Sequence, residues 1–206
     1  MIARHRAVRR AAWILVAAGI AALSYAAYVV ANAQTYQTAQ RRQLEQARAL
    51  PTSPPVAAMV PVTPAPAEGD VVGEIDIPRL GLAAIIAEGD SPAILKRAVG
   101  HLADTALPGE TGNVVLAGHR DTFFRPLKQV RVGDTITVKT RRGDFDYLVE
   151  STLVVSPDDV EVLEPVGGRT LTLVTCYPFF YVGSAPNRFI VRAREAGTSA
   201  GAGRTR

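Results

Sequence analysis

Residues 171–180 read LTLVTCYPFF, and Cys176 within that run is the only cysteine among 206 residues. Apolar and β-branched residues fill the stretch up to the thiol, the composition of a strand packed on a pleated surface. Pro178 cannot donate to a ladder, so the strand is expected to stop there and hand over to a loop. Successive side chains of a strand point to opposite faces. Thr172, Val174 and Cys176 therefore share one face, and Leu171, Leu173 and Thr175 the other.

The same pattern recurs on both sides. VVGEIDIPRL (71–80), GLAAIIAEG (81–89), NVVLAGH (113–119), DTITVKT (134–140), FDYLVESTLVV (145–155), RTLTLVTC (169–176) and RFIVRAR (188–194) all contain short apolar or alternating runs bounded by turn residues. RRGD, 141–144, separates two of them as a hairpin turn. Helical signals are few. Ser91-Pro92 before AILKRAV and Ser156-Pro157 before DDVEVL each offer an N-cap followed by proline at the first helical position. Short strands with two short helices predict a mainly β domain over 70–194, a barrel or a sandwich, because a parallel α/β sheet needs a helix between most of its strands.

The N-terminus is of another kind. Arg4, Arg6, Arg9 and Arg10 precede AAWILVAAGIAALSYAAYVVANA, 11–33, which carries no charge. About 20 apolar residues suffice to cross a hydrocarbon layer of ~30 Å. Residues 1–10 are thus expected as a cytoplasmic basic segment, 11–33 as a single transmembrane signal anchor, and the rest as extracytoplasmic, by the positive-inside rule. Ala31-Asn32-Ala33 would serve as a signal-peptidase site, but the apolar run exceeds the usual length of a cleaved signal, which favours an uncleaved anchor. Residues 34–69 divide into a Gln-, Ala- and Arg-rich helical stalk and, from Pro51, a spacer with six prolines. The small and polar tail, 195–206, is expected to be disordered.

The formal charge is +4, yet the basic residues are not gathered on one stripe with stacking aromatics, so no nucleic-acid partner is expected. A phosphate loop with lysine, HExxH and paired cysteines are all missing from the sequence, and no cofactor or metal is expected. Glu161 and Glu164 fall in one turn and read as solvated. An exported chain with one thiol has no disulfide to make within itself, which points to a reactive group or to an intermolecular bond.

A thiolate nucleophile needs a base, a cation or a dipole nearby. His5 lies on the wrong side of the membrane, leaving His101 and His119. His119 follows the strand NVVLAG just as Cys176 ends its own, and Arg188 opens a third strand after a short loop. Strand ends of one rigid sheet can bring such residues to one edge. The arginine could bind a substrate carbonyl or an oxyanion. Each residue also has a plain reading, as a small buried hydrophobe, a turn histidine and a solvated edge arginine.

TLVTC (172–176) with Tyr177-Pro178 resembles the TLxTC signature of sortases, the membrane-anchored cysteine transpeptidases of bacteria. TALPGETGNVVLAGHRDTFF (105–124) is similar to that family's histidine segment and APNRFIV (185–191) to its arginine strand. The resemblance implies a closed β-barrel of about eight strands with Cys176 as nucleophile, His119 as acid/base and Arg188 as substrate and oxyanion ligand, Thr175 joining Arg188 in substrate binding. His101 is the alternative base. The implied reaction cleaves a C-terminal LPxTG-like sorting signal of a surface protein through a thioester and transfers the acyl group to an amine of the cell envelope or of a protein. Class D is the most similar subclass: the connection before RTLTLVTC is too short for the class B helix, and the spacer lacks the Asp-Pro-aromatic lid of class C. The stretch 107–112, LPGETG, superficially looks like a sorting signal but reads as a loop. Two other functions stay open, a thiol hydrolase of the same fold that passes the acyl group to water and an anchored binding domain whose thiol is structural.

Overall fold

The computed structural model describes residues 2–49, 65–164 and 167–196. Most of the proline-rich spacer and nearly all of the tail lie outside the described residues. Helix α1 runs from Ile2 to Ala49 without a break, and its apolar part is long enough to cross a membrane, with none of that window buried in the protein.

Among the described residues eight strands follow: β1 (Val71–Ile77), β2 (Leu82–Glu88), β3 (Val99–His101), β4 (Gly112–Ala117), β5 (Thr135–Thr140), β6 (Gly143–Val155), β7 (Arg169–Tyr177) and β8 (Asn187–Glu195). They close into a barrel in the order β1-β2-β3-β4-β7-β8-β6-β5. The β2–β3 and β4–β7 pairs are parallel and all others antiparallel. Closure leaves no unpaired sheet edge. The seven strand segments read from the sequence are all present. The eighth, β3, was not expected, because three residues are too few to display an alternation.

The turns follow from local chemistry. Arg141-Arg142 joins β5 to β6 as a two-residue loop, with Thr140 paired to Gly143 and Gly143 at φ +136°, a conformation glycine adopts at little cost. Helix α2 is only Pro92–Leu95, shorter than the segment expected after Ser91. Ser156-Pro157 opens no helix. It makes a turn closed by the Asp159 amide on Ser156 O at 3.2 Å, and a 3₁₀ turn begins only at Val160. With Val162 its one buried residue, that turn has no apolar face that could support a longer helix.

Inward-facing residues of every strand meet in one core that includes Ile75, Ile86, Leu116, Val138, Tyr147, Leu171, Leu173 and Val191, closed over by Phe124 and Leu127. In β7 it is Leu171, Leu173 and Thr175 that point inward; Val174 and Cys176 are half-buried on the outer face. On that outer face Asn113 Oδ1 accepts from Thr170 Oγ1 at 3.2 Å and Thr172 Oγ1 at 2.9 Å, while its Nδ2 donates to Leu163 O at 2.9 Å. These bonds fix the β4–β7 register and tie the β6–β7 connection to it.

The stalk half of α1 lies against the barrel. Gln37 Oε1 accepts from the Ile85 amide at 2.7 Å, and its Nε2 donates to Arg97 O at 2.7 Å. Arg41 pairs with Glu74 and Arg48 with Asp144, and Leu44 is 3 % exposed.

Candidate active site

Cys176 is the penultimate residue of β7, and Arg188 is the second residue of β8. The antiparallel register sets them directly opposite each other. Facing residues project from the same side of a sheet, so both side chains rise from the outer face. On the other flank β4 runs parallel to β7, with Ala117 level with Val174. The Gly118 amide continues the ladder to Val174 O at 3.1 Å. His119 follows two residues beyond the Ala117–Val174 pair, at the end of the barrel where Cys176 stands. The connection leaving β4 and the neighbouring strands β7 and β8 thus deliver histidine, cysteine and arginine, in that order, to one end of the barrel. All three are half-buried, and the thiol is unpaired.

The connection after Gly118 is held closely. Thr175 Oγ1 donates to Gly118 O at 2.7 Å, and the Phe124 amide donates to His119 O at 3.1 Å. A Cβ on Gly118 would come within 2.7 Å of the Phe124 ring, and Phe124 is fully buried. Glycine is therefore what lets the chain pass close over the Phe124 ring on its way to His119.

The β7–β8 loop, residues 178–186, leaves the same end of the barrel and joins the strands that carry Cys176 and Arg188. Tyr177, Phe179 and Phe189 pack together with ring centroids 5.2–6.3 Å apart, the range in which aromatic pairs attract. Arg188 Nη1 donates to Ala185 O of this loop at 3.4 Å and to Asn187 O, at the start of β8, at 3.1 Å. Arg120, which the sequence reading passed over, joins the loop to the histidine segment through three hydrogen bonds.

The other expected site residues sit elsewhere. Thr175, expected to touch substrate, is 2 % exposed on the inner face with its hydroxyl given to Gly118, so its part is to position the histidine connection. His101, the alternative base, is also 2 % exposed. Its Nδ1 lies 2.6 Å from Glu88 Oε2, and its Nε2 lies 3.0 Å from Ala106 O and 3.1 Å from Thr105 Oγ1. Both ring nitrogens are occupied inside the barrel wall, which removes His101 as a base for the thiol. Glu161 and Glu164 are exposed, and among the described residues no three His, Cys, Asp or Glu side chains gather as a metal site would require. A cleft of about 410 Å³ lined by Asp70, Leu107, Glu110, Arg141 and Arg142 opens at the opposite pole, beside the starts of β4 and β6.

Residues 75–196 match the family model described as Sortase domain. Sortase D of Bacillus subtilis (strain 168) is 37 % identical over 131 residues, an alignment covering 63 % of this chain and 66 % of that protein, just under two thirds of its length. A solved Clostridium perfringens Sortase D5 transpeptidase is 36 % identical with a TM-score of 0.59, over 64 % of this chain and 82 % of that one. Clostridium perfringens sortase C, solved with the C-terminal cell wall sorting motif, is 32 % identical with a TM-score of 0.59, over 67 % and 77 % of the two chains.

Proposed function

The chain belongs to the sortase family, and from that premise we propose that it is a cysteine transpeptidase, most like the class D members, anchored by the apolar part of α1 with its barrel outside the membrane. The observation that carries the reading is the register that sets Arg188 opposite Cys176, with the strand that leads to His119 paired to the other flank of β7.

Cys176 Sγ, as thiolate, attacks the carbonyl carbon of the scissile peptide bond. The oxyanion that forms is met by the Arg188 guanidinium, a permanent charge with several N–H donors. His119 delivers a proton to the nitrogen as the C–N bond breaks, so the amine departs neutral and a thioester remains. In the second half an amine adds to the thioester, His119 takes its proton, and Cys176 leaves as thiolate. Water is the competing acceptor, and favouring amine over water depends on holding the amine in line with the thioester carbon.

The substrate is a surface protein with an LPxTG-like C-terminal signal, and the acceptor an amine of the envelope or of a protein. The likeness to the Clostridium perfringens sortase C solved with a sorting motif supports the first part. The test is product analysis by mass spectrometry, using a sorting-signal peptide with and without added amine. An amine adduct that disappears in Cys176→Ala is expected. Only free acid at high amine would overturn the transferase in favour of the hydrolase, and cleavage surviving Cys176→Ala would overturn the nucleophile.

A further inference from the structure

Arg120 follows His119 and turns its guanidinium onto the β7–β8 loop. Nη1 donates to Pro178 O at 3.0 Å, and Nη2 donates to Tyr181 O at 2.8 Å and Gly183 O at 3.2 Å. The guanidinium carbon stands 5.8 Å from the centroid of the Tyr181 ring, within cation–π range. Three carbonyls of one loop thus converge on one side chain.

Phe179 at the start of the loop packs on Tyr177 and Phe189, and Ala185 O near its end accepts from Arg188, but the tip between them has little else to hold it. Among the described residues, no backbone amide or carbonyl of 178–186 bonds to another backbone group in a turn. Phe180 is 75 % and Val182 100 % exposed, so neither anchors the loop by burial. Phe180 lies under Lys128 Nζ at 5.0 Å from its ring centroid, a contact worth little when exposed. A loop without a ladder or a buried side chain at its tip is expected to open easily. Yet it begins two residues after the thiol and ends two residues before Arg188.

We propose that Arg120 is the positioning residue that locks the β7–β8 loop to the segment that follows His119, so that the loop beside Cys176 is held in one place. The inference rests on the catalytic assignment of His119, Cys176 and Arg188 made above. Arginine suits the task because its planar fork presents several N–H donors in fixed directions, whereas lysine has one nitrogen at the end of a flexible stem. The lock acts on where the peptide lies and not on the bond-breaking steps, because Arg120 contacts the loop and not the thiol's cross-strand neighbours.

The test compares Arg120→Ala and Arg120→Lys with wild type in the full chain, in detergent. Amide hydrogen exchange of 179–184 is expected to accelerate in both variants while β4, β7 and β8 stay protected. KM for a sorting-signal peptide is expected to rise about tenfold with a much smaller change in kcat, the size of one lost charged hydrogen bond. Lysine is expected to restore only a small part of the KM. Unchanged exchange in the loop would overturn the proposal. So would loss of protection spread through β4 and β7, which would make Arg120 a general stabiliser of the fold, and so would full rescue by lysine. If wild type cleaves no sorting-signal peptide, the catalytic assignment fails while the exchange pattern still decides whether Arg120 holds the loop.

Discussion

Cys176 and Arg188 are direct cross-strand partners on β7 and β8. Facing residues hold their Cβ atoms about 5 Å apart, so a guanidinium from one can lie over the reaction centre of the other without any loop having to close. Lysine at 188 would keep the charge but lose the planar donors. Arg188→Lys is therefore expected to lower kcat by about 10²–10³, the cost of one misplaced oxyanion donor, with a smaller effect on KM. Steady-state cleavage of a fluorogenic sorting-signal peptide checks this, and a variant within threefold of wild type would remove Arg188 from the transition state.

Gly118 allows no side chain. Its added Cβ would sit 2.7 Å from Phe124 Cδ2 and 2.9 Å from Cγ, and a fully buried ring can move only by displacing the core around it. Gly118→Ala is expected to destabilise the barrel by about 1–3 kcal/mol, the usual cost of overpacking. It is also expected to slow alkylation of Cys176 by iodoacetamide, as the connection to His119 is displaced. Urea unfolding and alkylation rate measure the two effects. A stable variant alkylated at the wild-type rate would show that the connection is slack.

How the fold could be read from residues, and where it could not, comes down to length and parity. Alternation is visible in TITVKT of β5, EIDI of β1 and TLTL of β7, whereas β3 has three residues and exists because Val99–His101 pairs with β2 on one side and β4 on the other. The closed order, with its β4–β7 crossover, is set by pairings that no local pattern records. Within β7, the alternation that gave Cys176 and Thr175 opposite faces was legible, and it implied that one of them must turn inward. Thr175 does so, and the role expected of it at the substrate does not fit that face. Arg120 was beyond reach, since the carbonyls it binds lie 58, 61 and 63 residues away.

The stalk half of α1 is expected to be part of the folded unit. Gln37 satisfies the amide of the fully buried Ile85 and reaches Arg97 O with its other end. Gln37→Ala would leave that N–H without a partner, at a cost of about 1–3 kcal/mol. A chain starting at residue 34 is expected to melt close to the full-length protein, and one starting at residue 65 clearly below it. Equal melting temperatures for the two truncations would show that the helix docks without contributing stability.

Acid lability should pass through Asp134. Its carboxylate takes Arg79 Nε at 2.5 Å, Arg79 Nη2 at 2.6 Å and the Arg131 amide at 2.8 Å, tying the turn after β1 to the start of β5. The hydrogen bond from Arg79 is the main reason its pKa is held below the ordinary 3.8. A group whose pKa is lowered by folding binds fewer protons in the folded state, so its stabilisation is present above the unfolded value and is lost as pH falls through the folded one. Asp134→Asn is expected to melt several degrees lower at neutral pH and to converge with wild type in strong acid. Parallel melting curves across the acid range would exclude Asp134 as a source of the pH dependence.

The alkaline limb belongs to Tyr147. Its side chain is fully buried in the barrel core. Burial, followed by the charge of Glu195, raises its pKa from 10.0 to about 12, while a backbone approach from Gly109 pulls the other way but falls short of a hydrogen bond, so the hydroxyl has no partner among the described residues. The unfolded chain releases the phenolic proton before the folded one does, so the folded state holds more protons over that interval. The resulting stability is complete below about pH 10 and is lost as pH climbs through about 12. Tyr147→Phe removes an unsatisfied polar group and keeps the ring in the core. It is expected to leave the neutral-pH melting temperature unchanged or slightly raised, and to flatten the fall in stability above pH 10. Chemical denaturation at a series of alkaline pH values measures both. A neutral-pH loss of more than about 1 kcal/mol would mean that the hydroxyl does find a partner in solution.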